Sequence, residues 1–282
     1  MKNDIKKLER ILRDPTQKTI ALVAPSFVTD FSYHSFIWRL KKLGFDKTTE
    51  LTFGAKLINR DYHKILKKSK GLMISSPCPG IVTIIKNKFP KLRNRLIPVD
   101  SPVAAMAKVA KKHFPGHKTI FISPCDFKKT EAETCRQLDG VIDYDQLRAL
   151  FKKYKIGTPL LKKKDQFDKF YNDYTKIYPL SGGLAKTAHV GGILKEDQIK
   201  IIDGVNKVIK FLENPDPKIR FLDCLFCTGG CIGGPHTNKK LTISQKHDRV
   251  TRYLKRSKKE DILEDRKGIF EKAKGLKFLK KY

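Results

Sequence analysis

Three short loops put thiols among glycine and proline: Ser75-Ser76-Pro77-Cys78-Pro79-Gly80, Ile122-Ser123-Pro124-Cys125-Asp126-Phe127-Lys128-Lys129, and Cys227-Thr228-Gly229-Gly230-Cys231-Ile232-Gly233-Gly234-Pro235. Soft thiolates select zinc, Cu(I) or iron–sulfur clusters, so several converging on one point would make a metal centre. A fourth loop, Ala24-Pro25-Ser26, lacks a thiol but also follows an apolar run. Glycines flank the second thiol of Cys227-x3-Cys231 on both sides. Gly229, Gly230 and Gly233 are therefore expected to let backbone approach a cluster and to point N–H groups at its sulfides.

Two donor sets fit this pattern. Local spacing allows a structural zinc on Cys224, Cys227, Cys231 and His236. That set would leave Cys78 and Cys125 unexplained, which favours a 4Fe-4S cubane on Cys78, Cys125, Cys227 and Cys231. The spacing matches neither the radical-SAM run nor the usual ferredoxin run. Cys135 and Cys224 read as small buried hydrophobes and His236 as an ordinary loop histidine. Lys128, three residues beyond Cys125, could neutralise anionic ligands.

Those loops need elements to hold them. Apolar runs at residues 18–24, 71–75, 118–123, 140–143, 200–203 and 220–223 read as short buried strands. Amphipathic stretches at 33–43, 56–67, 80–88, 103–112, 144–153 and 205–212 read as helices between them. The order strand, Gly/Pro loop, helix predicts an α/β fold. Its parallel sheets are flanked by helices, and the cluster-binding loops collect at the strand C-termini. Residues 1–240 are expected to form one cluster-type domain. Residues 241–282, with charged helical patterns at 247–256 and 261–281, are expected to form a basic helical C-terminal extension packed on it.

A chain of 282 residues can bury a core without disulfide staples, so its six cysteines read as metal or redox chemistry in a reducing compartment. No apolar run approaches a membrane span, and the polar start has no leader character, so the expectation is a soluble cytoplasmic protein. Sixty Lys and Arg against 29 Asp and Glu leave a net charge of +31, which would attract nucleic acid, an anionic membrane or an acidic protein. Nucleic acid is disfavoured, because the lysines lack the aromatic interleaving of a base-stacking platform.

Taken together, the loops resemble the catalytic, H-cluster domain of FeFe-hydrogenases, which is the C-terminal domain of the iron-only hydrogenase large subunit. In that family a T-S-C-C-P-G loop, an M-P-C-x-x-K-x-x-E loop and a C-x-G-G-C-x-G-G-G loop recur. Here they read Ser75 to Gly80, Pro124 to Glu131, and Cys227 to Gly234. The resemblance implies a cubane on Cys78, Cys125, Cys227 and Cys231. Cys231 would also bridge to a diiron subsite carrying CO, cyanide and a dithiolate, with Ala24, Pro25, Ser26 and Lys128 near the cyanides. It implies reversible proton/H2 chemistry, maturation proteins that load the diiron site, and an acidic ferredoxin as electron carrier. Lys86, Lys88, Lys129, Lys239 and Lys240 are the expected docking lysines.

Several positions depart from the family pattern. Pro77 replaces the cysteine that relays protons, Ser123 and Leu225 replace methionines, and Asp61 is the sole acid where relay carboxylates would fall. Ser76 or water would then have to deliver protons. Ser76-Pro77-Cys78-Pro79 together with Tyr178-Pro179-Leu180-Ser181-Gly182-Gly183 looks closer to a sensory branch of the family. The alternative to an enzyme is thus a slow or non-catalytic hydrogen or redox sensor on the same fold.

Overall fold

A computed structural model of the chain describes residues 4–159 and 165–282. Two parallel sheets organise it. The first has strand order β2-β1-β4-β5, built from β1 (Thr19–Val23), β2 (Lys47–Glu50), β4 (Lys118–Ser123) and β5 (Gly140–Asp143). The second has order β3-β7-β6, built from β3 (Met73–Ile74), β6 (Ile199–Asp203) and β7 (Phe221–Leu225). The central apolar runs are strands buried on both faces, with β1 closed to solvent along its whole length, whereas β6, at the edge of the second sheet, has Lys200 and Ile201 exposed. All pairings are parallel, so the C-terminal ends of each sheet lie along one edge, with Val23 beside Ile122 and Ile122 beside Ile142.

The helices are α1 (Ile5–Arg13), α2 (Tyr33–Leu43), α3 (Thr52–Lys68), α4 (Pro79–Lys88), α5 (Pro102–His113), α6 (Phe127–Thr134), α7 (Tyr144–Lys153), α8 (Gly183–Thr187), α9 (Val205–Glu213) and α10 (Ile243–Ser257). Local chemistry starts several of them. Cys78 precedes Pro79 at the first position of α4, and Asp143 opens α7 with a reciprocal capping box to Gln146. One core lies between the first sheet and α3 and α5; a second lies on its other face under α2 and α7. Gly54 lets α3 close on α5, since a Cβ there would meet the Pro102 carbonyl oxygen at 2.3 Å.

Several expectations change. Strand β2, Lys-Thr-Thr-Glu, was not among the predicted runs, because its buried side chains are polar and held by specific bonds: Thr48 donates to Asp168 (3.0 Å) and Thr49 to the Lys169 carbonyl (3.0 Å). Helices α1, α6 and α8 were also not predicted. Helix α10 fulfils the first half of the expected terminal helical pattern. Residues 261–281 do not continue it; they run as 3-10 turns at Glu264–Arg266 and Phe270–Ala273. Their few apolar anchors dock one by one, and the tail returns to the core, where Asp100 donates its N–H to the Phe278 carbonyl and Leu279 bridges Val99. Among the described residues no helix is long and apolar enough to cross a membrane.

Candidate metal centre

Each sheet sends its strand-end loops into one partly open cavity of about 90 Å³. From the first sheet come Ala24, Pro25 and Ser26 after β1, and Ser123, Pro124 and Cys125 after β4. The second sheet supplies Pro77 and Cys78 after β3, and Leu225 and Cys231 after β7. Cys227 sits close enough for its thiol to feel those of Cys125 and Cys78. The walls are apolar, formed by Leu51 just before α3, Ala55 of α3, Val103 of α5 and Phe121 of β4. The four expected thiols therefore converge although 153 positions separate Cys78 from Cys231.

Electrostatics make this gathering unfavourable for free thiolates. Burial, reinforced by the neighbouring sulfurs, pushes Cys231 far above its ordinary range, pushes Cys227 up to about 11, and raises Cys125. Thiols so placed keep their protons unless a positively charged core replaces them. Lys128 supplies one compensating cation. It is partly buried, donates to the Pro77 carbonyl (3.2 Å), and pairs with Glu131. Desolvation alone would lower its pKa, but Glu131 and the thiols Cys125 and Cys78 outweigh it and raise it. Glu131 in turn accepts from Ser101, so the cation is fixed in place.

The spread of the sulfurs bears on which metal fits. Among the described residues no three of these sulfurs lie within 4.8 Å of one another. A single zinc ion would draw its thiolates to about 3.8 Å apart at a Zn–S length of about 2.3 Å. The local zinc set fails for a second reason. Cys224 is fully buried inside β7 with its N–H and sulfur on the Ser75 hydroxyl, and His236 has its ring nitrogens on Asp126 (2.8 Å) and Asp145 (2.7 Å). A further observation suits a bound group with acceptor atoms: Tyr178 lines the cavity, and its buried hydroxyl has no partner among the described residues.

Several of the expected site residues make specific contacts in the structure. Ser76 does not line the cavity; its hydroxyl donates to the Ile97 carbonyl (2.6 Å) and meets the Tyr62 hydroxyl at 2.8 Å, so it points away from the thiols. The glycines close the loop on protein. A Cβ at Gly233 would meet the Thr228 carbonyl oxygen at 1.9 Å, one at Gly230 the Pro179 oxygen at 2.7 Å, and one at Gly229 the Ile243 side chain at 2.8 Å. The N–H groups of Gly230 and Cys231 already donate to the Cys227 and Pro179 carbonyls, both at 2.9 Å, and are not available to sulfides. Lys129, expected to face a partner, is engaged by Asp143 (2.5 Å) and Asp126 (3.1 Å).

Other parts of the site carried weaker signals or none. Glu131 sits one helical turn beyond Lys128, so its spacing was visible in the sequence. Ser26, a wall residue, meets the buried Tyr144 hydroxyl at 2.8 Å, and nothing local announces that contact across 118 positions.

Comparison with known proteins agrees with this geometry. The sequence profile described as "Iron only hydrogenase large subunit, C-terminal domain" matches residues 17–235. A curated relative, Iron hydrogenase 1 of Clostridium pasteurianum, is 25% identical over 85% of this chain, which spans 54% of that protein. Among solved structures, one of FeFe-hydrogenase oxygen inactivation through the H-cluster superposes with a TM-score of 0.69 at 17% identity, covering 94% of this chain and 91% of the other. A variant of FeFe-hydrogenase HydA1 from Chlamydomonas reinhardtii does so with a TM-score of 0.68 at 17% identity, over 95% and 90%.

Proposed function

We propose that this chain, which belongs to the family formed by the C-terminal domain of the iron-only hydrogenase large subunit, is an iron–sulfur protein of the FeFe-hydrogenase type. Cys78, Cys125, Cys227 and Cys231 would hold a 4Fe-4S cubane. Cys231 would also bridge to a diiron subsite with CO, cyanide and dithiolate ligands at the side of the cavity formed by Ala24, Pro25, Ser26 and Lys128. When bound, such a cluster supplies the redox chemistry that interconverts protons plus electrons and H2. The observation that carries the reading is the convergence of Cys78, Cys125 and Cys231 from both sheets on one apolar cavity, with Cys227 beside them and the partly buried Lys128 among them.

The protein's own contribution is shape, dryness and charge. Apolar walls exclude water and strengthen every charge interaction inside. The Lys128 ammonium, held between the Pro77 carbonyl and Glu131, would face anionic ligands without having to reorganise. Electrons would arrive from an acidic carrier, such as a ferredoxin, drawn to the basic surface through exposed lysines including Lys88, Lys239 and Lys240. Maturation with a synthetic diiron complex should yield infrared bands of bound CO and cyanide. Protein that holds four irons per chain yet shows no such bands would refute the diiron half of the proposal.

A second reading is a hydrogen or redox sensor with little turnover, favoured by the residues that face the cavity. Pro77 has no exchangeable proton, and the nearest hydroxyl in its loop, Ser76, is turned away to Ile97. Positioned acid–base groups contribute about 10²–10⁴-fold to proton-transfer steps. Pro77→Cys should therefore raise hydrogen evolution from a strong reductant by at least about tenfold at equal cluster occupancy. An unchanged rate would mean that another step limits turnover.

A further inference from the structure

We propose that a groove between α3, the Asn172–Thr175 turn and the end of α8 binds a nucleoside phosphate. The groove has a volume of about 520 Å³ and is separate from the thiol cavity. Three permanent cations, Lys56, Arg60 and Lys64, line it with one carboxylate, Asp173, while Asp61 and Glu271 act on the same cations from beside the groove, so an anion would compete with these acids for them. Two of them are held over the ring of Phe270, Arg60 at 4.8 Å and Lys56 at 5.0 Å, which fixes their heads at the groove. Opposite them Tyr174 and His189 stack with ring centroids 5.3 Å apart and planes 7° from parallel, and both side chains are exposed. Stacked in this way, each ring covers one face of the other and leaves an outer face on which a planar base can stack.

Asn59 narrows the ligand further. It is only 5% exposed, lines the groove, and its Oδ1 has no hydrogen-bond donor among the described residues. Its orientation is set by its neighbour. The Thr187 hydroxyl gives its proton to the Gly183 carbonyl (2.7 Å) and so must accept from the Asn59 amide nitrogen (2.9 Å), which leaves Oδ1 as the buried atom without a donor. A buried acceptor left unsatisfied is costly, so the matching ligand must carry a donor as well as an anion. A phosphate for the cations, a base for the Tyr174–His189 surface, and a sugar hydroxyl or base amine for Asn59 occur together in a nucleotide. Helix α3 also supplies Ala55 to the thiol cavity one turn before Asn59, so occupancy of the groove bears on the helix that walls the metal centre.

Isothermal titration of the full chain with AMP, GMP, CMP and UMP at low salt tests the proposal, with ribose 5-phosphate and inorganic phosphate as partial ligands. At least one nucleotide should bind at a single site, and both partial ligands should bind roughly tenfold more weakly, having lost base stacking. Arg60→Glu and Tyr174→Ala, both at exposed positions, should each weaken nucleotide binding by about tenfold or more. Lys210→Glu on the exposed side of α9 should leave it unchanged. No saturable binding up to the order of 1 mM would overturn the proposal. So would phosphate binding as tightly as the nucleotide, or equal weakening by Lys210→Glu, since either would reduce the effect to the general positive charge of the chain.

Discussion

Cys231→Ala is expected to abolish cluster assembly: after anaerobic reconstitution with iron and sulfide, the variant should retain no stable iron above background, whereas the parent chain should hold about four irons. Changes even beyond the ligand shell cost metal sites about 10–100-fold in affinity, and loss of a ligand should cost at least that. Cys78→Ala, Cys125→Ala and Cys227→Ala should behave alike, because the three loops share one cavity and the nearby thiol of Cys224 is held by Ser75. The internal controls are Cys224→Ala and Cys135→Ala. Cys224 is inside β7 on Ser75, and Cys135 follows the last turn of α6. Both variants should keep full iron content, apart from some loss of stability at Cys224. Iron and sulfide analysis, with EPR of the reduced protein, reads the result. Undiminished iron in Cys231→Ala, or stoichiometric zinc in its place in the parent, would remove the basis of the proposed function.

Lys176→Met is expected to produce the largest loss of stability of any change away from the cavity. Lys176 is fully buried, pairs with Glu50, meets the Tyr253 hydroxyl at 2.9 Å, and lies 4.5 Å from the ring centroids of both Tyr171 and Tyr253. Removing one partner of a buried pair strands the other charge, a loss of about 3–5 kcal/mol. Burial already raises the pKa of Glu50, and its Oε1 has no hydrogen-bond partner among the described residues. Without the lysine the carboxylate binds its proton more tightly folded than unfolded, so its folded pKa lies above the unfolded one. Stability then falls as pH rises through the folded pKa and is recovered on acidification. Urea denaturation should show a larger deficit relative to the parent at pH 8 than at pH 5.5, and adding Glu50→Gln should remove that pH dependence. A deficit independent of pH would show that the stranded carboxylate is not the cause.

How much of this was legible in the sequence follows from range. The strands ending at Val23, Ser123 and Leu225 were readable because apolar runs fully buried in parallel sheets need no partner to be recognised. The four thiols were readable because glycine and proline mark the loops that carry them. Strand β2 was not, since its burial depends on bonds to Asp168, Lys169 and Lys176 more than a hundred positions away. The direction of Ser76 was hidden for the same reason. Its hydroxyl is claimed by Tyr62 and Ile97, and a loop motif cannot say which way a serine turns. The glycines of the third loop were read as letting backbone approach a cluster, and only the packed chain shows that a side chain there would meet Thr228, Pro179 and Ile243.

The two-residue strand β3 has a consequence for the timing of assembly. Met73 and Ile74 pair with Phe221 and Leu222, while Ile74 also bridges Leu96, so the loop bearing Cys78 joins the second sheet only once β7, far along the chain, has been synthesised. The first sheet closes within residues 19–143 and can present Cys125 early. Closing the second sheet means joining segments far apart in sequence, a slow, entropically costly step. Cys78, Cys227 and Cys231 therefore reach their places together and last. Loading is confined to the end of folding, and a ribosome-bound nascent chain stopped before β7 would display one ligand and accept no cluster.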